Sequence, residues 1–234
     1  MQYQVFLTPE RPVFYLPARM DLSVPRQRAF ILGNAYGVMP YQGQLAQALA
    51  DRGYESIWFP FSGQLGTSCG KFSIRSGADD LARVVGQVDA LLGKADGLPS
   101  IVSHCASALI AIEYLRHRDN SRVAKLIAYS PLVKPRRIKA RAEQRLAEAG
   151  VRSGLSDLDW DYNVKNRISS LEELPVLLCH VGDSLNRERA TLAELQNVAK
   201  DVSTAMVVSC PHGYDLRSDH VGTFASLYVN WLQR

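Results

Sequence analysis

The sequence predicts an α/β fold, a mostly parallel, doubly wound sheet with helices on both faces and a small cap segment. Two observations lead there. Apolar runs of strand length alternate with longer segments of helical period along most of the chain. One of those runs, Leu98–Val102, passes through a turn of small residues straight into an apolar helical segment. A closed eight-stranded α/β barrel would need more strand–helix units than the chain supplies.

The elements follow in order. Gln4–Thr8 and Val13–Pro17 flank the turn-like Pro9–Pro12 and predict an antiparallel hairpin. Arg28–Gly33 reads as the first buried strand. Gln42–Asp51 has helical spacing, with Leu45, Ala48 and Leu49 on one face, and Gly53 stands where a helix-ending glycine belongs. Glu55–Pro60 is the next strand, and Phe61–Cys69 a Gly/Ser-rich loop. Asp79–Leu92 predicts an amphipathic helix through Leu81, Val84, Val85, Val88, Leu91 and Leu92. After Leu98–Val102, Ala106–Arg116 is helical and Val123–Tyr129 a strand. Lys134–Leu171 is more polar and irregular, as a cap or lid would be. Leu174–Val181 is a strand, a helix runs from about Arg187 to Val198, Thr204–Cys210 is the last strand, and Val221–Leu232 closes the chain as a helix.

Composition narrows the classes. Apolar residues make up 47% and charged residues 21%, ordinary values for a globular protein able to bury a core. No stretch reaches the roughly 18–20 apolar residues that span a bilayer, and Met1–Arg28 lacks a secretory pattern. The expected location is the cytoplasm. A net charge of +4 without a nucleic-acid motif argues against nucleic acid as a partner. Cys69, Cys105, Cys179 and Cys210 have no CxxC spacing, and the five histidines show no ligand spacing, so neither a metal nor a cofactor is expected. The Ser62–Gly70 loop lacks the lysine of a phosphate loop. Cys179, in an apolar run, reads as a small core hydrophobe.

The informative stretch is Ser103–His104–Cys105–Ala106–Ser107. A sharp strand-to-helix turn strains the central residue and crowds the positions two before and two after it, which must be small. Ser103 and Ser107 meet that need. Centring on Ser103 puts Ile101 at a crowded position, and centring on Ser107 falls inside the helix. Cys105 fits both conditions. The helix N-terminus behind it favours a thiolate, an intrinsically strong nucleophile.

This order of parts resembles the α/β-hydrolase superfamily, over nearly the whole chain from Val13 to Leu232. The resemblance implies one hydrolase-like domain over residues 1–234, with residues 134–171 as its cap. Leu32–Gly37 (LGNAYG) occupies the place of the oxyanion loop, with Asn34 and Ala35 departing from the usual His and Gly. Gly53–Ser56 and Phe61–Ser68 are similar to the segments that follow. The usual nucleophile is serine between glycines; here it is cysteine between serines. The resemblance places the acid after the penultimate strand, at Asp183 in Gly182–Asp183, and the histidine after the last strand. His220, in Ser218–Asp219–His220–Val221–Gly222, resembles the histidine loops of cysteine-dependent members; His212 is the alternative. The triad it implies is Cys105, Asp183 and His220, with oxyanion donors from the backbones of Tyr36 and Ala106. Asp157, Asp159 and Asp161 are the remaining acids, read as a solvated loop.

A cysteine nucleophile suits thioesters, because exchange of one thioester for another is nearly isoenergetic and keeps the acyl group activated. The expected activity is that of a thioesterase or acyltransferase on acyl groups carried by CoA or an acyl carrier protein. Ester or lactone hydrolysis of the dienelactone-hydrolase type is the alternative. A non-catalytic binding protein on a hydrolase scaffold is the reading from a different class. Lys134–Arg145 carries six basic residues and one acid, which could meet an acidic carrier or a CoA phosphate, or form a solvated helix face. Trp160 and Tyr162 could line an acyl pocket or pin the cap to the core.

Overall fold

The computed structural model describes residues 4–8, 11–19, 26–33, 42–64, 67, 70–117, 123–129, 131–171, 174–181, 193, 195, 197, 202–207 and 218–233. Strand β1 (Gln4–Leu7) pairs antiparallel with β2 (Pro12–Leu16), which pairs antiparallel with β4 (Tyr54–Trp58). From β4 on, the sheet is parallel through β3 (Gln27–Leu32), β5 (Ser100–His104), β6 (Lys125–Tyr129), β7 (Val176–Val181) and β8 (Val202–Val207). The order across the eight strands is β1-β2-β4-β3-β5-β6-β7-β8. The sheet direction of growth reverses between β3 and β5, the place where open α/β sheets form their ligand crevice.

Two layers of side chains cover the sheet. On one face, α2 (Ile74–Leu92) and α3 (Ser107–His117) pack over Phe30, Leu32, Ile57, Ile101, Leu126 and Leu178. On the other, α1 (Gln42–Ala50) and α7 (Ser218–Leu232) cover Ala29, Ile31, Val102, Ile127, Tyr129 and Cys179. The central strands are buried on both faces, which is why β3 and β6 read as apolar runs. Gly77 lets α2 approach α3, since a Cβ there would stand 2.6 Å from Ile110 Cδ1.

The predicted hairpin, strands and helices are present with shifted ends. Helix α2 begins at Ile74, five residues before the expected start. Ser73 caps it and Ser76 completes a reciprocal capping box, a pattern without the usual acidic partner at the third position. Strand β5 runs two residues further, to His104. Strand β8 begins at Val202. Helix α7 begins at Ser218, so His220 lies in its first turn and not before it. The helix expected at 187–198 lies largely outside the described residues.

Between β6 and β7 the predicted irregular segment is mostly short helices: a 3-10 turn (Pro135–Ile138), then α4 (Lys139–Glu148), α5 (Asp157–Trp160) and α6 (Val164–Ile168). Buried polar groups tie this segment down. Glu113 of α3 accepts hydrogen bonds from Tyr162 Oη at 2.9 Å and Arg167 at 3.2 Å, and it also pairs with Arg116 and His117. The residues after β4 are clamped by buried Asp80, which accepts from Ser62 N–H (2.6 Å), Ser62 Oγ (2.9 Å) and Arg11 (2.6 Å). Arg152 N–H then donates to Gly63 O, joining that loop to the inserted segment.

Candidate active site

Cys105 stands at the corner between β5 and α3 with φ +52°, the only positive φ at a described non-glycine residue. A left-handed backbone costs an L-residue about 1–2 kcal/mol, so the surroundings must enforce it. They do so on both sides. Cys105 N–H donates to Tyr129 O at 2.9 Å, and Cys105 O accepts from Leu132 N–H at 3.1 Å and Ala108 N–H at 3.3 Å. The next amide, Ala106 N–H, donates to no described residue. A backbone donor beside a strained nucleophile is what an oxyanion hole requires.

The two small flanking residues are more than small. Ser103 Oγ donates to Ile127 O at 3.1 Å. Ser107 Oγ accepts from His104 N–H at 2.8 Å and lies 2.9 Å from His104 O and 3.0 Å from Leu32 O, sharing its one proton between them. The hydroxyl thus knits the turn to the end of β3. Cys105 packs in the layer under α2, α3 and the cap, whereas His104 is buried in a stack with Tyr129, away from that layer.

Strand β7 ends at Val181, on the same edge as Cys105, because β5, β6 and β7 are parallel. Asp183, Tyr36 and His212 lie outside the described residues, as do Cys69 and Cys210. The backbone of His220 is in α7. Its neighbour Val221 lines a small cavity with Leu32, Ser103, His104 and Tyr129, so the start of α7 lies against the end of β5.

Of the other acids, Asp159 has a structural role. Asp159 accepts from Ile74 N–H at 2.9 Å and so holds the start of α2. Asp157 pairs with Lys139 and Asp161 with Arg136. Asp157 and Asp161 stay exposed, as the solvated reading expects, and only Asp159 departs from it. Cys179 is fully buried, and burial pushes its thiol up to about 12, leaving it protonated and inert as expected. Sequence reasoning passed over Glu113, although a lone acid inside the apolar run ALIAIEYL was a visible sign of a buried ion cluster. Trp160 and Tyr162 are both buried and anchor the inserted segment. They also floor a cleft of about 360 Å³ edged by Val133, Lys134, Arg136, Arg137 and Lys165.

The strand order, the crossovers and the strained strand-to-helix corner together define an α/β-hydrolase fold. Solved structures agree. The chain is similar to a soluble variant of monoglyceride lipase from Saccharomyces cerevisiae (17% identity, TM-score 0.69, covering 99% of this chain and 94% of that one). It is also similar to an esterase from Exiguobacterium antarcticum (12% identity, TM-score 0.70, covering 95% and 96%). A third is MenH from S. aureus (12% identity, TM-score 0.66, covering 97% and 100%). At such identities the likeness establishes the fold. No protein-family model and no curated protein matches the sequence. Among the described residues, no helix is long and apolar enough to cross a membrane.

Proposed function

We propose that the protein is an enzyme of acyl transfer or hydrolysis that uses Cys105 as a covalent nucleophile, with His220 as general base and acid and Asp183 as its orienting carboxylate. The observation that carries this reading is the left-handed backbone of Cys105 at the β5–α3 corner. Strain of that kind is kept where function needs it. It lifts the thiol out of the strand while Ala106 N–H remains available beside it.

Cys105 Sγ attacks the acyl carbonyl as its proton passes to His220. The carbonyl oxygen takes the negative charge and is met by Ala106 N–H and, in this reading, Tyr36 N–H; each such donor is worth roughly 3 kcal/mol. The carbonyl re-forms, the bond to the leaving group breaks, and His220 returns the proton to that group. A second nucleophile, water or an acceptor, then repeats the sequence with Cys105 as leaving group. Asp183 fixes the imidazole tautomer throughout. Thioesters are the favoured substrates, because the acyl-cysteine retains their group-transfer potential.

The test is steady-state turnover of acyl thioesters and of matched oxygen esters. Thioester turnover that disappears in Cys105→Ala supports the reading. Turnover that survives in that variant contradicts it. Ester hydrolysis is the second reading, favoured by the likeness to proteins titled esterase and monoglyceride lipase. It is preferred if oxygen esters turn over and thioesters do not.

A further inference from the structure

The cleft on the inserted segment carries a charge imbalance. Among the described residues its rim holds Lys134, Arg136, Arg137 and Lys165 against a single acid, Asp161. Asp161 is engaged by Arg136 at 3.0 Å. Lys134, Arg137 and Lys165 make no ion pair with any described residue. On the same segment Lys139 meets Asp157 and Arg167 meets Glu113. Three cations facing one concavity repel each other and concentrate anions there. The floor beneath them is apolar and rigid, formed by Pro135, Trp160 and Tyr162, all buried.

One wall of the cleft is joined through the backbone to the Cys105 turn. Leu132 N–H donates to Cys105 O, and the following residue, Val133, is the first of the cleft wall. A ligand seated among the three cations therefore lies along the chain segment that buttresses the Cys105 turn.

We propose that this cleft binds the phosphate of a phosphopantetheine-type thioester, holding the carrier end of the substrate while the acyl end reaches Cys105. The assignment deepens the acyl-thioester reading and rests on it. The phosphate can come from CoA or from a carrier-linked arm; the shared chemistry is a phosphate next to a flexible thiol-bearing chain. A neutral fatty ester leaves the three cations without a partner, which separates this substrate class from simple lipids.

The test compares full-length protein with the triple variant Lys134→Glu, Arg137→Glu, Lys165→Glu. These side chains are exposed, so the fold tolerates the change. One readout is the ratio of kcat/KM for an acyl-CoA to that for the same acyl group on N-acetylcysteamine, which has no phosphate. Wild type should prefer the CoA thioester. The variant should lose about tenfold or more of that preference, since charge-assisted hydrogen bonds to phosphate are among the stronger polar contacts. The second readout is calorimetric binding of free CoA, 4′-phosphopantetheine and pantetheine, which does not depend on turnover. CoA and phosphopantetheine binding alike, with pantetheine far weaker, assigns the site to the phosphate on the pantetheine arm. That pattern, lost in the variant and in high salt, supports the cleft. CoA alone binding puts the contact on the nucleotide phosphates and overturns the assignment. Equal binding of all three, or binding that the variant retains, overturns it. Failure of Cys105 chemistry would appear separately, as no turnover of either thioester with CoA binding intact.

Discussion

Ser107 Oγ lies 3.0 Å from the carbonyl oxygen of Leu32, joining the first turn of α3 to the end of β3. The same hydroxyl accepts from His104 N–H, so one buried side chain closes the turn that carries Cys105 and ties it to the neighbouring strand. Ser107→Ala leaves a buried amide and a buried carbonyl short of a partner. The expected loss is about 1–3 kcal/mol in urea unfolding, with a lower kcat for whatever acyl donor the wild type accepts. Unchanged stability would show that the tie is dispensable.

The strain at Cys105 can be weighed apart from its chemistry. Cys105→Ala and Cys105→Gly both remove the thiol, but only glycine takes φ +52° without cost. Cys105→Gly should be more stable than Cys105→Ala by about 1 kcal/mol, read from urea midpoints. Equal stability of the two would mean that the turn is not strained in solution.

Glu113 gathers Tyr162, Arg167, Arg116 and His117, so one carboxylate of α3 fastens the inserted segment. Glu113→Ala should cost about 1–3 kcal/mol, less than a fully buried pair because its cationic partners reach solvent. The cut sites between 134 and 171 should become more sensitive to limited proteolysis. Protection equal to wild type would show that apolar packing alone holds the segment.

Much of this architecture was legible beforehand, and the reasons are physical. Buried parallel strands leave continuous apolar runs, so β3, β5 and β7 stood out. The elbow was legible because steric crowding restricts Ser103 and Ser107 to small side chains. The start of α2 was hidden because Ser76 replaces the usual acidic capping partner of Ser73. The helices of the inserted segment were hidden because they are short and polar, held by Tyr162–Glu113 and Ile74–Asp159 contacts that no local pattern announces. Likewise, nothing near Arg11 in the chain signals Asp80, 69 residues away.

Tyr54 Oη is buried and finds no hydrogen-bond partner among the described residues. Burial pushes its phenol from 10.0 up to about 12. The folded state therefore keeps a proton that the unfolded chain releases, and stability falls as pH climbs from about 10 to about 12. Tyr54→Phe removes both liabilities. It should raise stability by about 1 kcal/mol at neutral pH and shift alkaline unfolding to higher pH. A destabilised variant, or an unmoved alkaline transition, would count against this account.

The histidine assignment has its own test. His220→Ala should reduce kcat/KM by at least about a hundredfold, the scale of general acid–base catalysis, and His212→Ala by far less. The reverse ranking would move the role to His212 and leave Cys105 in place.

The most direct measurement is intact-protein mass spectrometry after brief exposure to a panel of acyl thioesters, with Cys105→Ala alongside. The account predicts a mass increase equal to the acyl group in wild type and none in the variant. An adduct that persists in Cys105→Ala, or no adduct with any donor that the protein turns over, would contradict covalent catalysis by Cys105.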